Sequence, residues 1–495
     1  MQGAVQDHGQ DVRILLDCSH INFESQPSGI PRVVGNYLAQ GCRWSERTGI
    51  PLLPVRVREH GLVLVRPVPH TAPGDPGKPQ PVALDRAINF AAFWAYVAGH
   101  RFRHALRRML HAADATAQLE PGNNLFYRVD ARLTSWAARL VAFARRLRPG
   151  QQLIEPRAGD ILFCAGYWHE TDPALYRKLA ERGCAIVFLI HDVLPVTLPQ
   201  FYPYPWNAQF KARLLEGIDL ASAVLCVSAV TRDGVLDIVA STGTRRKVSV
   251  AYNGYQPLDH GRASKSATVN PQLASALGKT PAPFIMVSTI EPKKGQARII
   301  DFFEQRWRSG YRRGLVLIGV PGWMSVDIVR KIRRSEYFGG LLRWFDNLDD
   351  ANLDYAYRHC HALIVASIAE GFGLPMIEGA MAGKPVLANR SVIAEEILGD
   401  YPLYFDQSDA SLSEALDRIE DAAVYRSRCE RLKRFDWPAW RHTVPSVLDA
   451  LVSSRSCWAS LPEFIGPALV IPADQRPIGS GASDVTAVVA PHTAR

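Results

Sequence analysis

The sequence lacks paired cysteines. Its eight (Cys18, Cys42, Cys164, Cys184, Cys226, Cys360, Cys429, Cys457) are scattered over 495 residues with no Cys-x-x-Cys. That excludes a disulfide scaffold and gives no spacing for a structural zinc site. The thiols read as reduced, several as core fillers in strands, which favours a reducing, cytoplasmic setting. No uninterrupted apolar run reaches the length of about 18 residues needed to cross a bilayer. Met1–Gln10 is polar without an apolar core, so it is read as a leader segment and not as a signal peptide. Apolar residues are not scarce. At 47% hydrophobic and 21% charged the composition is that of a globular protein, excluding wholesale disorder. The length fits about three domains, or two large α/β domains.

The net charge of +9 (57 basic against 48 acidic residues) is unevenly placed. Residues 101–150 hold ten arginines against Asp114, Glu120 and Asp130. In this stretch Leu133, Trp136, Leu140, Phe143 and Leu147 recur at helical steps, predicting basic amphipathic helices. Such helices either form a solvated hairpin on their own domain or touch an anionic membrane surface. Nucleic acid fits less well, because the patch is local and no nucleic-acid motif accompanies it.

Buried-strand patterns alternate with helical ones. Strands are expected at Val12–Asp17, Asp160–Cys164, Ala185–Ile190 and Ala223–Val227, with helices at Ile30–Leu38, Pro173–Arg182 and Ala229–Ala240. A second series runs through Phe284–Ser288, Gly314–Gly319, Ala362–Ala366 and Pro385–Ala388. This is βαβ traffic and implies parallel sheets covered on both faces. The expected organisation is a leader (1–11) and an N-terminal Rossmann-like acceptor domain (12–256) with a basic helical insertion at about 85–150. A linker (257–282), a C-terminal Rossmann-like nucleotide-sugar domain (283–436), a C-terminal helical segment (437–465) and an unstructured tail (466–495) follow. Ligands of such sheets bind beyond the carboxyl ends of the strands, so the cleft between the domains is the expected site.

The most informative segment is Ser367-Ile-Ala-Glu-Gly-Phe-Gly-Leu-Pro-Met-Ile-Glu-Gly-Ala-Met-Ala-Gly-Lys-Pro-Val386. Pro375 suits a first helical position and Gly383 the helix end. Glu370 then lies on a loop and Glu378 about one turn into a helix. Gly371 and Gly373 permit close backbone approach just before a helix N-terminus, where the dipole favours an anion such as a diphosphate. Carboxylates only accept hydrogen bonds, so hydroxyls are their natural partners. Amides for phosphate beside two acceptors for hydroxyls suit a nucleotide sugar. The plainer alternative is a helix carrying two solvated glutamates.

Glu370-Gly-Phe-Gly-Leu-Pro-x-x-Glu378 resembles the signature of the retaining glycosyltransferases of family 4, which have the GT-B fold: α/β, two doubly wound Rossmann-like domains facing across a cleft. Further pieces resemble the same family: Ser288-Thr-Ile-Glu-Pro-Lys-Lys-Gly295, Leu317–Trp323, Ser391–Glu396, Val227–Arg232 and Val250–Gly254. The resemblance implies that Glu370 binds hydroxyls of the donor sugar, Glu378 the ribose hydroxyls, and Lys294 the departing diphosphate. A fixed cation there would stabilise the charge that grows on the leaving group. Thr289 stands where the family often has arginine, so one cation is missing unless Lys293 or Arg298 replaces it; Lys293 reads more simply as a solvated turn residue.

In the N-terminal half, Ser28-Gly-Ile-Pro-Arg32 resembles the family's glycine loop, with Gly29 near the donor and Arg32 towards the acceptor. Leu189-Ile-His-Asp-Val-Leu-Pro195 ends an apolar strand and resembles the family's His-Asp-x-x-Pro, which implies that His191 positions the reacting sugar and Asp192 orients His191 or acts on the acceptor. Tyr167 and Trp168 either stack on an acceptor or pack.

The expected function is a retaining hexosyltransferase that passes mannose from a nucleotide sugar, GDP-mannose as first guess, to a glycan or polyprenyl-linked oligosaccharide in polysaccharide biosynthesis. Its catalytic residues would be Lys294, Glu370 and His191. Its donor side would comprise Gly29, Thr289, Lys294, Glu370, Gly371, Phe372, Gly373, Leu374 and Glu378. Arg32, Asp192, Tyr167 and Trp168 would serve the acceptor. No cofactor or metal is expected, since Lys294 and helix amides supply the positive charge and no Asp-x-Asp triplet occurs. The expected location is cytoplasmic, with peripheral contact at the inner face of the plasma membrane as an option. An epimerase of similar fold and a non-catalytic nucleotide-sugar-binding subunit are the alternatives. Base, sugar, acceptor, linkage and oligomeric state are not legible.

Overall fold

The computed structural model describes residues 12–21, 29–59, 61–65, 152–240, 243, 246–256 and 269–466. The leader, the basic insertion at about 85–150, residues 257–268 and the tail beyond Gly466 lie outside the described residues.

Short apolar runs, most of them buried along their whole length, build two sheets. The first contains β1 (Ile14–Asp17), β2 (Leu52–Arg58), β3 (Gly61–Leu64), β4 (Leu153–Ile154), β5 (Ile161–Cys164), β6 (Ala185–Ile190), β7 (Ala223–Cys226), β8 (Val248–Ala251) and β15 (Phe464–Ile465). Their order is β15-β8-β7-β6-β5-β1-β2-β3-β4. Ile14 on β1 is in register with Leu52 on one side and Ile161 on the other, both parallel, while β2 and β3 form an antiparallel pair. The second sheet contains β9 (Phe284–Val287), β10 (Leu315–Ile318), β11 (Leu342–Phe345), β12 (Leu363–Val365), β13 (Val386–Asn389) and β14 (Leu403–Phe405). Its order is β11-β10-β9-β12-β13-β14, parallel throughout. Both sheets reverse their winding once, the first between β1 and β5 and the second between β9 and β12. Such reversals leave a crevice at the strands' carboxyl ends.

The expected strands are found within a residue or two of their ends. The helix expected at Ile30–Leu38 is longer, Ile30–Thr48, and buries Val33, Val34, Tyr37 and Trp44 before Gly49 ends it in the left-handed region (φ +75°).

One expectation about organisation changes and another gains detail. The Pro- and Ser-rich linker 257–282 contains a helix, Pro271–Leu277. Asn270 caps it by accepting from the amides of Gln272 and Leu273, and Leu273, Ala276 and Leu277 are buried. The segment after 437 belongs with the N-terminal sheet. Helix Trp440–Ser453 packs on helix Ile30–Thr48, and β15 pairs with β8. Trp44 Nε1 donates to Asp449 Oδ1 at 2.7 Å. Val444, Val447, Leu448 and Leu451 are fully buried, at roughly 1.5–3 kcal/mol each, which fixes the returning chain firmly.

Candidate functional site

Two loops meet at the reversal point of the C-terminal sheet. After β9 the chain runs through Ser288–Glu291 into a tight turn, Pro292–Lys294. Gly295 then takes a left-handed conformation (φ +75°), and a Cβ there would lie 2.6 Å from the carbonyl oxygen of Ala366. Only glycine lets the two loops approach this closely. After β12 the chain passes Ser367–Phe372, and Gly373 (φ +87°) turns it into helix Leu374–Met381. Pro375 is the second helical residue, one place later than expected, and Gly383 (φ +72°) follows the helix end. A small pocket between the loops is lined by Ser288, Lys294, Ser367, Glu370 and Gly373.

Lys294 Nζ lies 2.5 Å from Glu370 Oε1, and Ser367 Oγ donates to the same oxygen at 2.7 Å. Both charged side chains are largely buried. Burial pushes the Glu370 carboxyl up, but the charge and hydrogen bond of Lys294 and the bond from Ser367 outweigh it and hold Glu370 below the ordinary value. This carboxylate is therefore ionised and fixed. Gln296, buried, ties the neighbouring turn together by donating to Ser288 Oγ and to the carbonyl of Thr289.

Neither replacement cation behaves as the sequence implied. Lys293 is no solvated turn residue: its side chain is 12% exposed, 3.4 Å from Glu291, with Nζ donating to Tyr202 Oη at 2.7 Å. Arg298 points elsewhere, donating to the carbonyls of Asp406 and Ser408.

Glu378 sits one turn inside the helix and is buried. Arg32 Nη1 donates to its Oε1 at 2.7 Å and Tyr357 Oη to its Oε2 at 2.8 Å. Arg32 also reaches Asp350 at 2.5 Å. Arg32 therefore crosses from the N-terminal sheet's first helix to two carboxylates of the other sheet. Here burial outweighs Arg32 and Tyr357, and the Glu378 carboxyl is raised above its ordinary value. The acceptor role expected for Arg32 does not match this placement, because its guanidinium is spent on Glu378 and Asp350.

The N-terminal face of the cleft carries Gly29 (φ +56°) at the start of helix Ile30–Thr48. His191 follows β6, and its Nε2 lies 2.9 Å from the carbonyl oxygen of Ala165. That partner is an acceptor, so Nε2 carries the proton. Burial holds His191 below the ordinary histidine value, in spite of the Ala165 bond and Asp192. Asp192 Oδ1 accepts from the amide of Leu194. Trp168 is a packing residue, contrary to the expected stacking role. It is 5% exposed, its Nε1 donates to the Leu189 carbonyl, and a Cβ at Gly217 would touch its ring at 2.7 Å. Tyr167 is half-buried.

The two sheets touch through Gly371. A Cβ there would lie 1.8 Å from the carbonyl oxygen of His191 and 2.8 Å from Asp192 Cβ. The Gly371 carbonyl accepts from Ser228 Oγ at 2.6 Å and Thr231 Oγ1 at 3.2 Å. Close by, the Glu396 carboxylate accepts the amides of Ala229 (2.6 Å) and Val230 (2.9 Å), capping helix Ala229–Ala240 from the other sheet. So Gly371 is small because the opposite strand end is there, in addition to any approach to a ligand. Phe372 also departs from expectation: it is buried, its ring edge-on to Trp437 at 5.7 Å, leaving only its backbone to the loop. Thr289 packs against the turn at Gly322, and Leu374 is half-buried at the helix start.

Thus Lys294, Glu370, Gly371, Gly373, His191 and Asp192 come together; Glu378 and Arg32 form a second, linked cluster. Ser367, Tyr357, Asp350 and Tyr202 were missed. Only Tyr202 had a sequence signal, the aromatic run Phe201-Tyr-Pro-Tyr-Pro-Trp206.

Residues 273–434 match the family described as glycosyl transferases group 1. This part of the chain is similar to that family. The match spans the glycine turns, Lys294, Glu370 and Glu378. Among curated proteins, the serotype-specific mannosyltransferase WbdA of Escherichia coli is 30% identical over 304 residues, which is 59% of this chain and 37% of that protein. The chain thus spans little more than a third of that relative's length. O-antigen chain mannosyltransferase B of Escherichia coli is 24% identical over 60% of this chain and 80% of its own. Among solved structures, an alpha,alpha-trehalose-phosphate synthase (UDP-forming) from Burkholderia vietnamiensis superposes with a TM-score of 0.52 at 15% identity, over 92% of this chain and all of that one. That likeness establishes the GT-B fold. No described helix is long and apolar enough to cross a membrane.

Proposed function

We propose that the protein is a hexosyltransferase of polysaccharide biosynthesis that moves mannose from a nucleoside-diphosphate sugar to a glycan or lipid-linked oligosaccharide. The observation that carries this reading is the Lys294–Glu370 pair, 2.5 Å apart in a pocket at a helix start, opposite a strand end that presents His191. The mannosyltransferase relatives favour mannose, and the UDP-forming structural neighbour favours a nucleotide-linked donor.

In this reading the diphosphate lies against Lys294 and the start of helix Leu374–Met381, where cation and dipole stabilise charge as the glycosidic bond breaks. Glu370, ionised, accepts hydroxyls of the sugar while holding Lys294 in place. Neutral His191 offers Nδ1 as an acceptor for a sugar hydroxyl. The acceptor hydroxyl attacks the anomeric carbon on the face the diphosphate leaves, and its proton passes to the departing phosphate oxygen, with retention of configuration. Lys294 and the helix amides supply the positive charge that a metal would otherwise provide. Arg32 and Glu378 lock the sheets beside the donor, and Glu378 meets the ribose only where Arg32 and Tyr357 leave it a lone pair.

The test is a panel of nucleotide sugars assayed for nucleoside diphosphate release and thermal stabilisation, with and without EDTA. GDP-mannose should give the largest response, unaffected by the chelator. Stabilisation by none of the panel would remove the reading.

A further inference from the structure

Beside the donor pocket stands a pile of aromatic rings contributed by both sheets. Trp206 lies over Tyr202, centroids 5.8 Å apart and planes 20° apart, and meets Trp323 at 5.3 Å and 35°. Tyr202 and Trp206 follow β6, whereas Trp323 stands on the loop after β10. The pile is tied to the site. Tyr202 accepts from Lys293 Nζ at 2.7 Å, and Lys293 in turn accepts the amide of Ile368 through its carbonyl. The Trp323 loop is pressed onto the same turn, since a Cβ at Gly322 would lie 2.5 Å from both Glu291 Oε1 and Thr289 Cγ2. Met324, next in that loop, is a non-glycine residue at positive φ (+52°), strain of the kind found at ligand clamps. Only the Trp323 end of the pile is open: Trp323 is 44% exposed, whereas Tyr202 is buried.

We infer that Trp323, backed by Trp206 and the buried Tyr202, forms a stacking platform for a pyranose ring of the acceptor glycan, placed beside the transferred sugar. This rests on the transferase reading above and gives the acceptor a place in it. The open indole of Trp323, held from behind by Trp206, presents a rigid flat face, which suits the apolar face of a sugar ring. A polar group borders the pile on the pocket side: Glu291 lies 3.4 Å from Lys293, which donates to Tyr202 Oη, and carboxylates accept from hydroxyls. The pile adjoins the Lys294–Glu370 pocket through Lys293, so its exposed rim is assigned to carbohydrate and not to membrane. The platform takes the role the sequence gave to Trp168, whose ring is buried.

The test uses the full chain in native gels containing soluble α-mannan or dextran, with retardation as the readout. Wild type should be retarded, and Trp323→Ala should lose about tenfold in apparent affinity. Trp323→Phe, keeping a ring, should recover most of it. Stabilisation by the nucleoside diphosphate of the best donor should be the same in wild type and both variants, which separates this proposal from the donor reading. Wild type unretarded by either polysaccharide, or Trp323→Ala retarded as strongly as wild type, overturns the platform and leaves the donor site standing. Retention on phosphatidylglycerol vesicles that Trp323→Ala abolishes, with gel retardation unchanged, also overturns it and assigns the rim to lipid. A donor panel that fails while mannan retardation depends on Trp323 removes the transferase reading and keeps a carbohydrate-binding platform.

Discussion

Glu370 and Glu378 belong to the same loop and helix, and both are buried, yet their environments drive them in opposite directions. Glu370 is met by a lysine and a serine hydroxyl from its own half of the molecule and stays ionised below its ordinary range. Glu378 lies deeper, on the helix, and depends on Arg32 from the other half; burial still raises it. The comparison shows how two identical side chains divide labour. One is a preset acceptor beside Lys294, the cation proposed to face the leaving group. The other is a cross-sheet tie whose charge is costly unless the halves are together.

Removing Lys294 should break the first arrangement with the largest effect. Lys294→Ala should lower nucleoside diphosphate release by about 10²–10³-fold, measured under saturating donor, and should also lower the melting temperature, because Glu370 is left buried without its cation. A variant that retains wild-type turnover would show that the leaving group sits elsewhere.

Arg32→Ala should break the second. It leaves Glu378 buried without its cation, at a cost of about 3 kcal/mol in unfolding free energy by denaturant titration. Adding Glu378→Gln to Arg32→Ala should restore much of that loss, since no unpaired charge remains. If the double variant is as unstable as the single one, the arginine acts through packing alone.

Gly371→Ala tests the contact between the two clusters. The new Cβ meets the His191 carbonyl at 1.8 Å, so the sheets must separate. We expect a loss of about 1–3 kcal/mol, a larger radius of gyration by small-angle scattering, and a fall in turnover with Lys294 intact. An unchanged scattering profile would mean that the loop yields instead.

The smallest effect sharpens the comparison by sign. Glu370 is depressed, so its contribution to stability is present above the unfolded carboxylate value of 4.5 and fades as pH falls through the lower folded value. Glu378 is raised, so its contribution is largest below 4.5 and declines as pH rises through the folded value. The stability difference between wild type and Glu370→Gln should therefore shrink on acidification, and that between wild type and Glu378→Gln should shrink on alkalinisation. Melting curves from pH 3.5 to 7 would show it, and parallel trends in the two variants would contradict the assigned directions.

Much of the fold was legible because its signals are local. A buried parallel strand must be an unbroken apolar run, and Ala185–Ile190 and Ala229–Ala240 were read to the residue. The donor loop was legible for the same reason, because glycines, proline and glutamates stand in one stretch of chain. Arg32 was read as serving the acceptor, since its partners Glu378 and Asp350 lie more than 300 residues away and leave no mark near it. Whether Trp168 stacks or packs stayed open in the sequence, because an aromatic residue after a strand looks the same either way until burial decides it. The linker misled because proline at a helix's first position and proline in an extended tether look the same without the packed leucines.

The sequence alone determined the strand and helix alternation, the turns that only glycine can make, and which residues carry charge at the donor loop. These depend on backbone sterics and on periodicity within a few residues. The tertiary structure alone decided which charges meet, that Gly371 is small because the His191 carbonyl faces it, and that the last described helix and strand return to the first sheet. Contact between distant segments sets burial, and burial sets whether a charge is paired, raised or lowered.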